Sequence, residues 1–162
     1  MPDLKGKTVM ITGAAGNLGR ATADTFDSAG ANLVLVDLNG DALETTYPGN
    51  ENNRIKCAVD LMVHAEIEAA VAQGRDEFGE INALAAIAGG FHMGEMVHGL
   101  PADKWDLMMD LNARTLLNTT AAVVPGMIEN SSGKIVTIGA NAARQGMAKM
   151  GAYIAAKGAV IR

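Results

Sequence analysis

The sequence is poor in cysteine and has no long hydrophobic run. Cys57 is its only cysteine, which excludes an intramolecular disulfide and is typical of proteins that work in a reducing compartment. The opening residues MPDLKGK lack the apolar core of a signal peptide. No apolar run approaches the roughly eighteen residues of a membrane span. We therefore expect a cytoplasmic protein with no membrane partner.

The sequence also has few positively charged residues. The chain has 13 Lys and Arg against 18 Asp and Glu, for a formal net charge of −5, and the two signs are interleaved. Nucleic-acid binding needs a concentrated basic surface that neutralises phosphates, so we expect no nucleic-acid partner and favour a small molecule. A metal site is not expected, because His64, His92 and His98 have no cysteine or carboxylate at ligand spacing.

Apolar residues, by contrast, are plentiful. They make up 49% of the 162 residues, which is enough for a sizeable buried core in a chain of this length. No linker, low-complexity tract or internal repeat divides the sequence. We expect a single domain over residues 1–162.

The strongest motif lies between Thr8 and Asp37. A short apolar strand at 9–11 ends at the segment TGAAGNLG, which is followed by apolar residues at helical spacing and by a second buried strand at 33–36. The glycines let the backbone approach a ligand closely, and the N–H groups that open the helix attract phosphate. An ordinary strand-to-helix turn would also contain glycine, but this context favours a seat for the pyrophosphate of a dinucleotide.

Asp37 indicates which dinucleotide is bound. It ends the second strand, where its carboxylate can accept hydrogen bonds from both hydroxyls of the adenosine ribose. The same carboxylate would repel a ribose 2′-phosphate, and the following residues, Leu38 and Asn39, bring no cation. We therefore expect NAD(H) to be preferred over NADP(H).

Strand and helix alternate through the rest of the chain. Further strands are predicted at 54–59, 82–88 and 134–139. Helices are predicted near 41–47, over 63–78 with Asp60 as its cap, over 101–129 with a break near Asn112, and from Gly151 to the end of the sequence. Right-handed crossovers then give an α/β fold with a doubly wound parallel sheet, the Rossmann fold, and a ligand crevice at the carboxyl ends of the strands.

Two motifs at opposite ends of the chain resemble those of one family. TGAAGNLG at 12–19 and YIAAK at 153–157 together resemble the short-chain dehydrogenase/reductase family, and the match covers nearly the whole chain. The resemblance implies three catalytic residues, namely Tyr153, Lys157 and Asn112. It also implies these cofactor-binding residues: Gly13, Asn17, Leu18, Gly19, Asp37, Leu38, Asp60, Leu61, Ala88, Gly89, Tyr153 and Lys157.

The sequence departs from the family pattern in three places, which involve four residues. Asn17 replaces the middle glycine of the turn, although asparagine tolerates a positive φ better than most residues. Ala86 and Ile87 replace two asparagines whose amides usually tie neighbouring strands together. Ala140 replaces the family serine that orients the substrate oxygen, and losing such a donor can cost a factor of about a hundred or more in rate.

Tyr153 and Lys157 can be interpreted from their chemistry alone. On a helix they lie one turn apart, so the ammonium can stabilise a phenolate and lower a tyrosine pKa that starts at about 10. A tyrosine tuned in this way can protonate a carbonyl oxygen or accept the proton of an alcohol. A solvated helix pair has the same spacing, and the glycine-rich turn favours the catalytic interpretation.

These features predict an NAD(H)-dependent oxidoreductase that interconverts a carbonyl and a secondary alcohol of a small molecule, such as a 3-oxoacyl thioester. Ala140 leaves two alternatives open. One is a dinucleotide-binding relative with little or no turnover. The other is a member similar to dihydropteridine reductase, which has a Gly-Ala-x-Ala-Ala segment like the one at 139–143 and works without the serine.

The resemblance also concerns assembly and length. Family members commonly pair their long helices between subunits, so we expect a homo-oligomer, a dimer or a homotetramer. They also continue well beyond the YxxxK motif, whereas this sequence ends at Arg162 with no helix stop signal. We therefore expect a fold that is truncated after the fifth strand and the start of the next helix, as part of a longer protein.

Overall fold

One parallel sheet organises the protein. The computed structural model describes residues 4–162, and its five strands pair in parallel in the order β3-β2-β1-β4-β5. The strands are Thr8–Thr12 (β1), Asn32–Asp37 (β2), Arg54–Ala58 (β3), Ile81–Ala86 (β4) and Lys134–Thr137 (β5). The predicted doubly wound α/β fold is confirmed.

Helices cover both faces of this sheet. They are Asn17–Ser28 (α1), Gly40–Thr46 (α2), His64–Phe78 (α3), Ala102–Met109 (α4), Thr115–Glu129 (α5) and Gly151–Val160 (α6). The segment Asp110–Arg114 between α4 and α5 is π-helical, so the predicted break near Asn112 is real. None of the helices in residues 4–162 is long and apolar enough to cross a bilayer.

The core lies on either side of the central strand β1. All five of its residues are buried, and successive side chains point to opposite faces of the sheet. Met10 packs on one face with residues of α3 and α5, while Val9 and Ile11 pack on the other with residues of α1 and α2. Burial on both faces explains why β1 and β2 are nearly continuous apolar runs.

Three predicted strands end earlier than expected, and all do so at the same edge of the sheet. β3 ends at Ala58, β4 at Ala86 and β5 at Thr137. Thr12, Ala86 and Thr137 are successive partners across the sheet, so the residues beyond them have no neighbouring strand to pair with. The chain leaves the sheet there and enters the loops that form the cleft described below.

Two helix predictions were inaccurate at their ends. Asp60 does not cap α3, which begins at His64 without a side-chain cap. The Asp60 carboxylate instead accepts the Met62 N–H at 2.8 Å, and the Glu66 carboxylate accepts the Asp60 N–H at 2.8 Å. The Asp60 carboxylate, which a helix cap would need, is therefore used in this local turn. α6 ends at Val160 rather than continuing to Arg162.

Candidate functional site: a cleft at the carboxyl ends of the strands

A cleft of about 430 Å³ opens at the carboxyl ends of the strands, within the usual size range of small-molecule and cofactor pockets. It lies where doubly wound sheets bind their ligands. Every predicted cofactor-binding residue except Tyr153 and Lys157 lines it: Gly13, Asn17, Leu18, Gly19, Asp37, Leu38, Asp60, Leu61, Ala88 and Gly89.

Sequence reasoning missed several residues that also line the cleft: Gly16, Val59, Met62, Ile87, Leu111 and Thr115. The first four are immediate neighbours of predicted residues, so adjacency was the available signal. Leu111 and Thr115 lie one helical turn apart, on either side of Asn112. Only their nearness in the sequence to the predicted residue Asn112 could have indicated them.

The glycine-rich turn is built so tightly that it has no room for a side chain at Gly13 or Gly19. Gly13 has a φ of +68°, and a Cβ there would lie 3.0 Å from the backbone of Ala88. A Cβ on Gly19 would lie only 2.1 Å from the carbonyl oxygen of Gly13. α1 then begins at Asn17, with Gly16 at the N-cap and no side chain of residues 4–162 capping it. The N–H groups of its first turn are therefore available to a phosphate.

Asp37 joins the turn to the next loop. Its Oδ2 accepts the Ala15 N–H at 3.0 Å, and its Oδ1 accepts the Asn39 N–H at 3.2 Å. Each carboxylate oxygen has a second lone pair, so both can still accept a hydroxyl hydrogen bond from a ribose. Leu38 beside it is 71% exposed and offers an apolar surface to the cleft.

Lys157 and Asn112 meet beside Gly89. Lys157 is 6% exposed, its Nζ donates to the Ile138 carbonyl at 2.8 Å, and burial lowers the pKa of its ammonium. A Cβ on Gly89 would lie 2.8 Å from Asn112 Oδ1 and 3.4 Å from Lys157 Nζ. Lys157 and Asn112 line a small adjoining cavity of about 10 Å³ that shares Ala88 and Thr115 with the cleft.

Asn112 lies in the π-helical segment, and its side chain is held by bonds to the loop after β4 and to α4. The side chain is 2% exposed; its Nδ2 donates to the carbonyls of Gly90 and Met108 at 3.0 Å each, and its Oδ1 accepts the Gly90 N–H at 3.2 Å. Single π-helical turns often occur at functional sites. The Asn112 amide therefore ties this turn to the loop that follows β4.

Tyr153 lies on α6, one turn before Lys157. It is partly buried, and its ring meets that of Phe91 edge to face with centroids 4.9 Å apart. The hydroxyl forms no hydrogen bond to any residue in 4–162, so it remains free to bond a substrate. Tyr153 does not line the cleft itself.

The structure also shows where two residues that depart from the family pattern lie. Ala86 is buried at the end of β4, and Ala140 has an extended backbone immediately before the short 3₁₀ helix Asn141–Arg144. Asn141 is exposed, and its side chain forms no hydrogen bond to the described residues. It therefore gives no sign of replacing the missing serine hydroxyl.

Two of the three histidines pair with a nearby carboxylate. His64 pairs with Glu68 along α3, and His92 Nε2 lies 2.8 Å from Glu95 Oε2 in the loop after β4. Within residues 4–162, no three His, Cys, Asp or Glu side chains are grouped closely enough to hold a metal ion.

Comparison with known proteins gives one consistent result. A protein-family model described as short chain dehydrogenase matches residues 7–162. The 2,3-dihydro-2,3-dihydroxybenzoate dehydrogenase of Bacillus subtilis (strain 168) is 32% identical over 161 residues, which cover 98% of this chain and 61% of that enzyme. The NAD-dependent glycerol dehydrogenase of Listeria innocua serovar 6a is 31% identical over 155 residues, covering 96% of this chain and 61% of that enzyme.

A solved structure has the same architecture. NAD⁺-bound xylitol dehydrogenase superimposes with a TM-score of 0.90 at 29% identity, over 98% of this chain and 62% of that one. The chain thus spans about three fifths of the length of these relatives.

Proposed function

Since the chain belongs to the short-chain dehydrogenase family, we propose that residues 1–162 form an NAD(H)-binding domain of an oxidoreductase. The protein interconverts a carbonyl and a secondary alcohol of a small molecule in the cytoplasm. The observation that carries this proposal is the convergence at one sheet edge of a glycine-rich turn, Asp37 and the Lys157–Asn112 pair. Relatives named as NAD-dependent or NAD⁺-bound support the choice of cofactor.

The cofactor seat follows from the shape of the cleft. The turn at 13–19 cannot accept a Cβ at Gly13 or Gly19, as expected of backbone that a pyrophosphate must approach closely. Asp37 would receive the adenosine ribose, and Asp60, Leu61 and Leu38, which also line the cleft, would hold the adenine. Ala88, Gly89 and Lys157 adjoin the nicotinamide end, so the residues present fit a dinucleotide.

Tyr153 is the proton carrier in this proposal. When bound, the nicotinamide supplies or accepts a hydride at the reacting carbon. Tyr153 donates its hydroxyl proton to the carbonyl oxygen in reduction and accepts the alcohol proton in oxidation. Lys157, held by the Ile138 carbonyl, stabilises the phenolate through its positive charge. Asn112 anchors the π-helical turn against Gly90 and keeps this wall of the site in place.

Ala140 motivates the rival proposal, a dinucleotide-binding protein that does not turn over. The serine hydroxyl is absent, and Tyr153 is left as the only predicted donor to the substrate oxygen. The third candidate is a pteridine-reductase-like enzyme, because its substrate needs less stabilisation at that oxygen.

Absorbance at the NADH band distinguishes these proposals. The purified chain is mixed with NADH and a panel of ketones, 3-oxoacyl thioesters, sugars and quinonoid pterins. NADH oxidation with a carbonyl substrate supports the oxidoreductase, and oxidation with pterins alone supports the pteridine-reductase-like alternative. Tight NADH binding without turnover on the whole panel supports the rival, and absence of NADH binding contradicts all three proposals.

Cofactor preference gives the first prediction. The unmodified chain should bind NAD(H) at least about tenfold more tightly than NADP(H), because a 2′-phosphate would sit against the Asp37 carboxylate. Asp37→Ala should narrow this preference. It should also weaken NAD(H) binding, because the Ala15 N–H loses its acceptor. Calorimetric titration with both cofactors measures the ratio.

Asp41→Ala is the matched control for Asp37→Ala. Asp41 is an exposed carboxylate in the first turn of α2 and does not line the cleft, so its removal should leave the ratio unchanged. Equal binding of NAD(H) and NADP(H) by the unmodified chain would contradict the assignment of Asp37.

Self-association is the second prediction, and its surface is the outer face of α5. Leu117 and Ile128 are 63% and 71% exposed, and they border a shallow groove of about 310 Å³ that includes Ala121 and Val124. Small and apolar residues allow close helix contact between subunits. We expect a dimer or tetramer at micromolar concentration in sedimentation equilibrium.

A charge on this face should disrupt the assembly. Leu117→Glu should raise the dissociation constant at least about tenfold, because burying an unpaired carboxylate is costly. Val97→Glu adds the same charge at a residue that is 78% exposed and outside α5. This control should not change the dissociation constant of the assembly. A monomeric unmodified chain at micromolar concentration would contradict the proposal.

A further inference from the structure

Tyr47 bonds to the glycine-rich turn from a distant part of the chain. It follows α2 and is 4% exposed. Its hydroxyl donates to the Ala14 carbonyl at 2.8 Å, although the two residues are 33 positions apart. A buried tyrosine hydroxyl in a core cluster usually needs such a partner. Here the partner is the backbone of the cleft wall.

Ala14 lies in the closely packed part of that turn. Its N–H donates to the Val36 carbonyl at 3.0 Å, and the Ala15 N–H donates to Asp37 at 3.0 Å. A Cβ on Gly19 would come within 2.8 Å of the Ala14 Cα, so any shift of Ala14 moves backbone against the start of α1. The Tyr47 bond therefore restrains the segment that leads into the free N–H groups of α1.

The contacts of Tyr47 keep it in this role. The Arg54 guanidinium lies over its ring, 5.7 Å from the centroid, and Arg54 in turn pairs with Glu51 at 2.6 Å. Burial, reinforced by the Asp24 carboxylate, raises the pKa of Tyr47 to about 12. The hydroxyl is therefore protonated at neutral pH and can donate to the Ala14 carbonyl.

We propose that Tyr47 is a positioning residue for dinucleotide binding. Its bond to the Ala14 carbonyl fixes the turn at 13–19 in the geometry that receives a pyrophosphate. The inference rests on the proposed function, because it assigns Tyr47 to the binding of that cofactor. The Tyr47 bond should therefore affect the affinity for ligands that contain a pyrophosphate and not the affinity for adenosine alone.

Tyr47→Phe tests this, because it keeps the buried ring and its contact with Arg54 and removes only the hydroxyl. The dissociation constants of NADH and ADP-ribose should rise about fivefold to tenfold, since the Ala14 carbonyl loses its donor and the turn loses a restraint. The KM for NADH should rise by the same factor while kcat at saturating NADH stays within about twofold. Adenosine affinity should not change.

Thr8→Val is the matched control. Thr8 is also fully buried, and its hydroxyl donates to a main-chain carbonyl, that of Phe78, at 3.2 Å. It lies at the opposite end of β1 from the turn. Both substitutions remove one buried hydroxyl and should lower the melting temperature, but only Tyr47→Phe should weaken NADH binding.

Amide hydrogen exchange of the unliganded proteins gives a second measurement. Residues 13–19 should exchange faster in Tyr47→Phe than in the unmodified chain, while β4 and β5 should not. Unchanged NADH affinity in Tyr47→Phe together with unchanged exchange in the turn would overturn the inference and leave Tyr47 as a core residue. Failure of the unmodified chain to bind NADH or ADP-ribose would overturn the proposed function, and this inference with it. NADH binding by the unmodified chain therefore tests the proposed function. The ratio of the NADH dissociation constants of Tyr47→Phe and the unmodified chain tests the role of Tyr47.

Discussion

Tyr153→Phe is expected to lower kcat by about two to four orders of magnitude, the usual contribution of a positioned general acid or base. The ring and its edge-to-face contact with Phe91 are retained, and the lost hydroxyl has no hydrogen-bond partner within residues 4–162. The melting temperature and the dissociation constant of NADH should therefore stay close to those of the unmodified chain. The loss should appear in kcat and in kcat/KM for the carbonyl substrate alike.

Steady-state rates at saturating NADH measure the effect, with calorimetry and thermal melting as tests of intact binding and folding. If Tyr153→Phe kept at least half of the original kcat, another group would be the proton donor. The proposed roles of Tyr153 and Lys157 would then be wrong.

Gly19→Ala is expected to abolish most cofactor binding. The added Cβ would lie 2.1 Å from the Gly13 carbonyl oxygen and 2.8 Å from the Ala14 Cα, and both are backbone atoms that cannot move without opening the turn. We expect a loss of about 1–3 kcal/mol in stability, which is typical of overpacking. The dissociation constant of NADH should rise at least about tenfold, because the turn that receives the pyrophosphate must shift.

Gly146→Ala is the control for this substitution. A Cβ at Gly146 would meet no described atom within 4 Å, and its φ lies outside the left-handed region. Calorimetric titration with NADH should give unchanged affinity for Gly146→Ala. Equal affinities for the two variants would mean that the turn at 13–19 does not form the pyrophosphate seat.

The parts of the site that were predictable depend on residues close in the sequence. The turn at 12–19 and the Tyr153–Lys157 pair each occupy a few consecutive positions with fixed spacing, so the pattern contains the geometry. Alternation of strand and helix was likewise enough for the parallel sheet, because βαβ connections leave few topologies open. That these residues bind a dinucleotide stays a prediction.

The parts that were not predictable depend on contacts between distant residues or on competing local bonds. Tyr47 bonds to Ala14 across the intervening α1, β2 and α2, and no periodicity marks such a pair. Asp60 could cap a helix or close a turn, and the sequence does not indicate which bond is the more favourable. In the structure the Asp60 carboxylate accepts the Met62 N–H within the turn, so α3 begins later than predicted.

Transfer of deuterium from NADH labelled at the reacting nicotinamide position tests the central claim most directly. The unmodified chain is incubated with this cofactor and the carbonyl substrates, and the products are analysed by mass spectrometry. The proposed function predicts an alcohol that contains one deuterium from each labelled NADH oxidised. It also predicts that Tyr153→Phe forms this product far more slowly while still binding the cofactor. Bound NADH that retains its label with every carbonyl tested would contradict the proposed oxidoreductase.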